Sequence, residues 1–252
     1  MEFIFVLIGL FIIAILYSSV GHGGASGYLA VLSLTSYGLM DISWLKQHVW
    51  FLNLIVAAIA FFHYHKGGHH KMKLSLPFIV GSVPFAIIGG YQIVDGMIYD
   101  LLLSIVLIWA AYRLAIIEDD KDERVDVVVE AKVAIPIGSG IGFVSGIVGV
   151  GGGIFLSPLL LLKKWGVPKN VAATSALFIW VNSAAGIVGH GLSGQLNVDF
   201  GVLSWFIGVV LIGGFIGSKY GAGIAPQKQV RKLLILVLMI AATKRIIEIF
   251  NV

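Results

Sequence analysis

Two glycine-rich stretches interrupt long apolar runs: Gly21-His22-Gly23-Gly24-Ala25-Ser26-Gly27 and Gly149-Val150-Gly151-Gly152-Gly153. Glycine destabilises a helix and frees backbone N–H and C=O groups. Inside a bilayer such groups are tolerated only within the protein or beside a water-filled cavity. Interrupted apolar segments at matching places in two halves are typical of the binding site of a secondary transporter. We call residues 21–27 the first tip and residues 149–153 the second tip. Together they predict a buried site built largely from backbone groups.

The composition indicates an integral membrane protein. Of the 252 residues, 58% are hydrophobic and only 12% are charged. Soluble domains carry about 25% charged residues, so this chain cannot cover a soluble surface. The absence of cysteine excludes disulfides, thiolate metal sites and cysteine nucleophiles. We expect an integral membrane protein, embedded in the lipid bilayer and without a nucleic-acid partner.

The apolar segments form two series of five, which we interpret as repeats. They cover residues 3–20, 28–37, 44–64, 74–94 and 97–117, and then 133–148, 154–162, 171–188, 198–216 and 229–250. The glycines of the two tips are 128 residues apart, and two further matches follow in the same order at spacings of 124 and 131. We predict a first transmembrane repeat at 1–117, a charged cytoplasmic linker at 118–132 and a second repeat at 133–252.

The distribution of positive charge predicts that the repeats are inverted. Cytoplasmic loops carry an excess of Lys and Arg, and the loops at 63–73, 113–132, 163–169 and 219–232 hold 14 of the 17. The second segment of each half is too short to cross a ~30 Å core. The predicted fold is an all-α polytopic membrane protein whose two inverted repeats each begin with a broken, re-entrant helical hairpin with a glycine-rich tip.

In these features the sequence resembles the sulfite exporter TauE/SafE family of membrane permeases over nearly its whole length. The resemblance rests on the paired tips, on Pro158-Leu159 and on Ala172-Ala173-Thr174-Ser175. It implies a multi-pass permease of the plasma (bacterial inner) membrane, and not an enzyme, for small sulfur-containing anions such as sulfite or organosulfonates. The first half departs from the pattern, because it has Lys46-Gln47 where the second half has Thr174-Ser175 and no Pro after its glycines.

The candidate substrate site combines the tips with polar residues of the helices that follow them. Each tip precedes a short helix, and helix N-termini bind anions through free N–H groups. The predicted substrate-binding residues are Gly21, His22, Gly23, Gly24, Ser26, Lys46, Gln47, Asn53, Gly149, Gly151, Gly152, Gly153, Thr174, Ser175 and Asn182. We expect a small anionic substrate, with H⁺ or Na⁺ as the coupling ion and without a cofactor, a metal or catalytic residues.

Several of these residues also have a structural interpretation. Lys46 is either a cation for the anion or an interfacial side chain that extends to water. Each amide or hydroxyl can equally join neighbouring helices. For Gly138, Gly142 and Gly146, spaced by four, we predict close helix packing.

Two other functions are considered. A divalent-metal permease would use the loop that carries His63, His65, His69 and His70, because imidazole binds Zn, Ni and Cu. That loop lacks Cys and carboxylates, which favours a solvated basic loop. A membrane-embedded enzyme has the least support, since the sequence contains no HExxH or GxSxG motif. The particular anion, the direction of transport and the oligomeric state stay open.

Overall fold

The computed structural model describes residues 1–92 and 129–226, together with the single positions 105, 112, 229, 232, 233 and 236. Within these residues every regular element is helical. The first half contains α1 (Glu2–Ser18), α2 (Ala25–Ser33), a 3₁₀ turn (Ser36–Leu39), α3 (Ile42–Lys66) and α4 (Met72–Tyr91). The second half contains α5 (Ala131–Val148), α6 (Gly153–Leu162), α7 (Pro168–Leu192), α8 (Phe200–Lys219) and a π-helical turn (Tyr220–Ile224).

The predicted membrane segments correspond to these helices with shifted ends. Helices α3, α4, α5, α7 and α8 are each long and apolar enough to cross a membrane, which agrees with an all-α, multi-pass protein. Helix α5 begins at Ala131, inside the predicted linker, because polar residues can form a helical turn before the apolar part begins. The predicted segments 97–117 and 229–250, and the linker as far as residue 128, lie outside the described residues apart from a few single positions.

The two halves pack into each other through small residues. Helix α1 packs on α8, and α4 packs on both α5 and α7. A Cβ added to Gly138, Gly142 or Gly146 would overlap a backbone carbonyl oxygen of α4. The close packing predicted for these three glycines is therefore confirmed. Gly217 of α8 approaches the carbonyl oxygen of Ile15 in α1 in the same way.

Helices α3 and α7 run antiparallel through the centre of the molecule. Near the start of α3, Gln47 exchanges two hydrogen bonds of 2.7 and 2.8 Å with the backbone of Asn197, which follows α7. Near the start of α7, Lys169 Nζ donates to Ala222 O at 3.1 Å. His69, which follows α3, lies 3.0 Å from the same oxygen. The two helices therefore begin at opposite ends of the bundle.

The two ends of the bundle differ in charge. One end, called here the basic end, is formed by the loops 67–71 and 163–167 and the turn 220–224. It carries Lys66, Lys71, Lys73, Lys163, Lys164, Lys169 and Lys219. The other end, called the far end, is formed by residues 34–41 and 193–199, which contain no Lys or Arg. This separation groups the predicted cytoplasmic loops 63–73 and 163–169 on one side.

Candidate functional site

The two tips meet halfway along the α3–α7 pair. A Cβ added to Gly151 of the second tip would lie 3.1 Å from Asn53 Nδ2 and 2.8 Å from Ile179 Cγ2. A Cβ added to Gly23 of the first tip would lie 3.1 Å from Ile179 Cγ2 and would overlap the Asn53 amide oxygen. Asn53 and Ile179 are each the twelfth residue of a helix of 25. Both tips therefore reach mid-height in the bundle.

Left-handed glycines shape both tips. Their φ angles are 75° at Gly21, 104° at Gly24, 82° at Gly149, 71° at Gly151 and 79° at Gly152. Residues with a Cβ rarely adopt such angles. Glycine therefore allows the chain to turn sharply from the end of one helix into the beginning of the next.

Both tips offer free backbone donors. Gly24 and Gly152 are the N-cap residues of α2 and α6. Within the described residues, the N–H groups of Gly23, Gly24, Gly151 and Gly152 donate no hydrogen bond. The first N–H groups of a helix have no intrahelical acceptor. The centre of the molecule is thus surrounded by two helix N-termini, whose partial positive charge suits an anion.

Asn53 and Ser183 bring unpaired polar atoms to the same place. Both side chains are fully buried, and in the described part of the chain neither the Asn53 amide nor Ser183 Oγ has a hydrogen-bond partner. Ser183 Oγ would lie 2.9 Å from a Cβ added to Gly151. An unpaired buried polar group costs about 1–3 kcal/mol. Such groups are expected where a ligand supplies the missing partner.

His22 connects the first tip to the second half. Its Nδ1 lies 3.1 Å from Val20 O, and its Nε2 lies 3.3 Å from Ser157 Oγ in α6. Ser157 Oγ is in turn 2.6 Å from Ser175 Oγ in α7. Ser26 Oγ is 2.8 Å from Tyr17 OH. The predicted site residues His22, Ser26 and Ser175 thus hold the first tip in position.

A small cavity lies against the first tip. It is lined by His22, Gly23 and Ser26 and by Val150, Ile154 and Ile179, among others. Its volume of about 10 Å³ corresponds to one water molecule. This cavity is therefore too small for an anion larger than water in this conformation.

Lys46 lies beside the second tip. Its side chain is only 4% exposed, and its Cγ lies 3.0 Å from the position of a Cβ on Gly149. Its Nζ lies 5.4 Å from the centre of the Trp50 ring. Among the described residues no carboxylate pairs with Lys46. The side chain is thus enclosed by protein, which does not fit the interfacial interpretation.

Three predicted residues are not brought to the tips. The amide of Gln47 is occupied by the backbone of Asn197. Asn182 Nδ2 donates to Phe178 O at 2.8 Å. Thr174 and Asn182 are buried, but neither is among the nearest neighbours of a tip glycine. Successive helix residues differ in direction by about 100°, so Gln47 and Lys46 face different neighbours.

The sequence analysis did not identify Ile179 or Ser183. Ser183 directly follows Asn182, and it lies one helical turn after Ile179, so both project from the same face of α7. The spacing of four residues predicts that Ser183 and Ile179 share a face of α7. Only the position of the tips shows that this face contacts the second tip.

The four histidines do not form a metal site in the described part of the chain. His63 Nδ1 lies 2.8 Å from Ser218 Oγ, and His70 Nε2 lies 2.9 Å from Ser75 Oγ. No three His, Asp or Glu side chains among the described residues are placed to hold a metal ion. His63 and His65 belong to the last turn of α3, so the predicted loop at 63–73 is shorter than expected.

Comparisons with known proteins identify transporters. The chain is 32% identical over 246 residues to the probable membrane transporter protein y4hK of Sinorhizobium fredii, covering 96% of this chain and 98% of that protein. It is 27% identical over 184 residues to the probable membrane transporter protein YunE of Bacillus subtilis, covering 65% of each. It is 30% identical over 192 residues to a probable membrane transporter protein of Methanocaldococcus jannaschii, covering 71% and 69%. No solved structure matches the chain.

The family assignment follows from a match over almost the entire chain. The family described as sulfite exporter TauE/SafE matches residues 5–245. This range includes both tips and all of the polar residues around them. The chain is a multi-pass integral membrane protein, and it belongs to the sulfite exporter TauE/SafE family of membrane transporters.

Proposed function

We propose that this protein is a secondary transporter that moves a small sulfur-containing oxyanion, such as sulfite or an organosulfonate, across the plasma membrane. The observation that carries the proposal is the position of Asn53 against both tips and of Ser183 against the second tip, with polar atoms that are buried without partners among the described residues. Together with the free N–H groups of the tips, they supply hydrogen-bond donors without a full charge. Such donors suit an anion in a site of low dielectric constant.

Lys46 supports the choice of an anion. A buried ammonium group is unfavourable unless an opposite charge accompanies it. Within residues 1–92 and 129–226 no carboxylate fills that role. Its stem packs on Gly149 of the second tip, and its Nζ lies 5.4 Å from the centre of the Trp50 ring. An anionic substrate would supply the missing charge.

Corresponding contacts support two inverted repeats. Gly21 of the first tip lies against the backbone of Ala172 in α7, and Gly149 of the second tip lies against Lys46 in α3. The two glycines are 128 residues apart, and their partners are 126 apart. Since α3 and α7 run antiparallel, these equivalent contacts favour a pseudo-two-fold axis in the membrane plane, as in many secondary transporters.

The packing also favours one register for the repeats. Gly89 lies against Phe143 O, and Gly217 lies against Ile15 O. Gly217 follows Gly89 by 128 residues, and Phe143 follows Ile15 by the same interval. The contacts therefore align Gly89 with Gly217, one helical turn away from the spacing of 124 suggested by the sequence match. In an apolar helix, residues one turn apart have similar neighbours, so a sequence alignment can be displaced by four residues and give a spacing of 124 in place of 128.

The short helices support re-entrant hairpins. Helix α2 has nine residues and α6 has ten, which gives lengths of roughly 14–15 Å. Neither can cross a ~30 Å core. Because the cavity at the first tip has room for about one water molecule, we propose that the tips separate when an anion enters. We propose that a gradient of H⁺ or Na⁺, or of the substrate itself, drives this cycle.

A transport assay tests the proposed substrate class. Purified protein in proteoliposomes is expected to catalyse flux of labelled sulfite or of an anionic organosulfonate such as methanesulfonate, and not of Ni²⁺. The competing metal permease predicts Ni²⁺ flux that is lost when His63, His65, His69 and His70 are replaced. Nickel transport of that kind, without anion flux, would refute the proposal.

The inverted arrangement predicts the sides on which two single cysteines react. The chain contains no native cysteine, so Lys73→Cys at the basic end and Leu196→Cys at the far end give unambiguous labelling. Both positions are exposed. In intact cells a membrane-impermeant maleimide should label Leu196→Cys, and should label Lys73→Cys only after the cells are lysed. Labelling of both positions from the same side would contradict the inverted repeats.

A further inference from the structure

A second group of buried polar side chains lies between α3 and α7, nearer the far end. Lys46 and His190 both lie near the ring of Trp50. Lys46 Nζ is 5.4 Å from the centre of that ring, and the His190 ring lies 5.5 Å away at an interplanar angle of 71°. Trp50 and His190 are fully buried. We call Lys46, Trp50 and His190 the far-end cluster.

The far-end cluster contains unused hydrogen-bonding groups. Within the described residues, Trp50 Nε1 and His190 Nδ1 have no hydrogen-bond partner. The indole N–H can only donate. Ser43 Oγ lies 2.8 Å from His190 Nε2. Because Ser43 Oγ has a single proton, which it donates to Gln195 O, it accepts from His190 Nε2. The buried ammonium group of Lys46 thus lies beside an indole N–H that has no acceptor among the described residues.

The far-end cluster is separate from the site between the tips. Lys46 precedes Asn53 by seven residues in α3, and His190 follows Ser183 by seven residues in α7. At 1.5 Å per residue, each interval corresponds to roughly 10 Å along the helix axis. Because the helices are antiparallel, both displacements point towards the far end. The two places thus lie at different depths along one α3–α7 interface.

The loop 193–199 closes the far-end cluster from outside. Ser43 Oγ donates to Gln195 O at 3.3 Å while it contacts His190. The Gln47 amide holds the backbone of Asn197, and His48 Nε2 accepts from the N–H of Asp199 at 3.1 Å. The loop therefore rests on the first turns of α3 through side chains that neighbour the cluster. Release of these bonds would open the cluster to the far side.

We propose that Lys46, Trp50 and His190 form a second binding site for the transported oxyanion, through which it passes between the central site and the far end. The inference rests on the proposed anion transport. In the described part of the chain this buried cation has no carboxylate partner and the neighbouring indole donor has no acceptor, which is the chemistry that a small oxyanion needs. The site binds the anion by charge and hydrogen bonds while the loop 193–199 covers it.

Equilibrium binding of labelled sulfite to the purified protein in nanodiscs, under anaerobic conditions, tests the proposal. Wild type should bind two equivalents per chain. Lys46→Met and Trp50→Phe should each bind one, and Asn53→Leu should also bind one. Trp50→Phe keeps an aromatic ring beside Lys46 and His190 and removes only a donor that has no acceptor among the described residues. A purely structural role for Trp50 therefore predicts unchanged binding.

Trp180→Phe is the matched control. Trp180 lies on α7 and is 43% exposed, so its replacement should leave two equivalents. A single equivalent in wild type, or two retained in Lys46→Met and Trp50→Phe, would overturn the far-end site. If Asn53→Leu keeps two equivalents while Trp50→Phe keeps one, the central site fails and the far-end site stands. Loss of all binding in Trp50→Phe would show one shared site and also overturn the proposal.

Discussion

Replacement of Asn53 by leucine is expected to reduce anion transport roughly tenfold or more while leaving the protein at least as stable as wild type. Asn53 is buried and its amide has no partner among the described residues. Replacing an unpaired polar group removes its desolvation cost from the free energy of folding. A bound anion, in contrast, loses about 0.5–1.5 kcal/mol of binding free energy for each hydrogen-bond donor that is removed. Ser183→Ala should act in the same direction with a smaller loss of about two- to tenfold. Flux and melting temperature measured on the same preparations test both variants.

Ser218→Ala is the control for an ordinary buried hydroxyl. Ser218 Oγ donates to Gly214 O at 2.5 Å and contacts His63 Nδ1 at 2.8 Å. Its removal leaves partners unsatisfied, so this variant should melt at a lower temperature but retain the apparent affinity for the anion. If instead Asn53→Leu is destabilised like Ser218→Ala and transports normally, Asn53 has a structural role and the central site is wrongly placed.

Gly23→Ala is expected to abolish transport with little change in folding. The φ angle of Gly23 lies outside the left-handed region, so alanine fits the backbone. Its Cβ would overlap the Asn53 amide oxygen and lie 3.1 Å from Ile179 Cγ2. The amide is the end of a flexible side chain and can turn away, but it then no longer faces the space between the tips. Proteoliposome flux, together with detergent-solubilised monodispersity, measures the two effects separately.

Two other glycines provide matched controls for Gly23→Ala. A Cβ on Gly140 meets no atom within 4 Å, so Gly140→Ala should keep full transport and gain about 0.5–1 kcal/mol of helix stability. A Cβ on Gly142 would overlap the backbone oxygen of Ser82. Backbone cannot turn away, so Gly142→Ala should lower stability. Normal flux in well-folded Gly23→Ala would remove the first tip from the substrate path.

Residues with positive φ are less informative test positions. Gly24 and Gly152 have φ angles of 104° and 79°, and added Cβ atoms would lie 2.5 Å from the Tyr28 ring and 2.7 Å from the Phe178 ring. A larger residue at either position would strain the backbone as well as fill the site. Loss of transport there would not separate binding from folding. Gly23 avoids this difficulty because its backbone conformation is ordinary.

Local sequence determined the membrane character, the helices and the places where they break. Apolar runs predicted the membrane-spanning helices α3, α4, α5, α7 and α8, and glycine predicted both tips, because helix propensity and hydropathy depend on neighbouring residues. The spacing of Gly138, Gly142 and Gly146 likewise predicted close packing, since residues four apart share a helix face.

Only the tertiary structure decided which polar side chains face the tips. Lys46 packs on Gly149 while its neighbour Gln47 holds a loop, and Ser183 approaches Gly151 while its neighbour Asn182 bonds within α7. The sequence predicted Asn182 and did not identify Ser183. Adjacent residues of a helix point about 100° apart. Which direction matters is fixed by contacts between segments 32 to 150 residues apart, and no local propensity encodes the rotation of one packed helix against another.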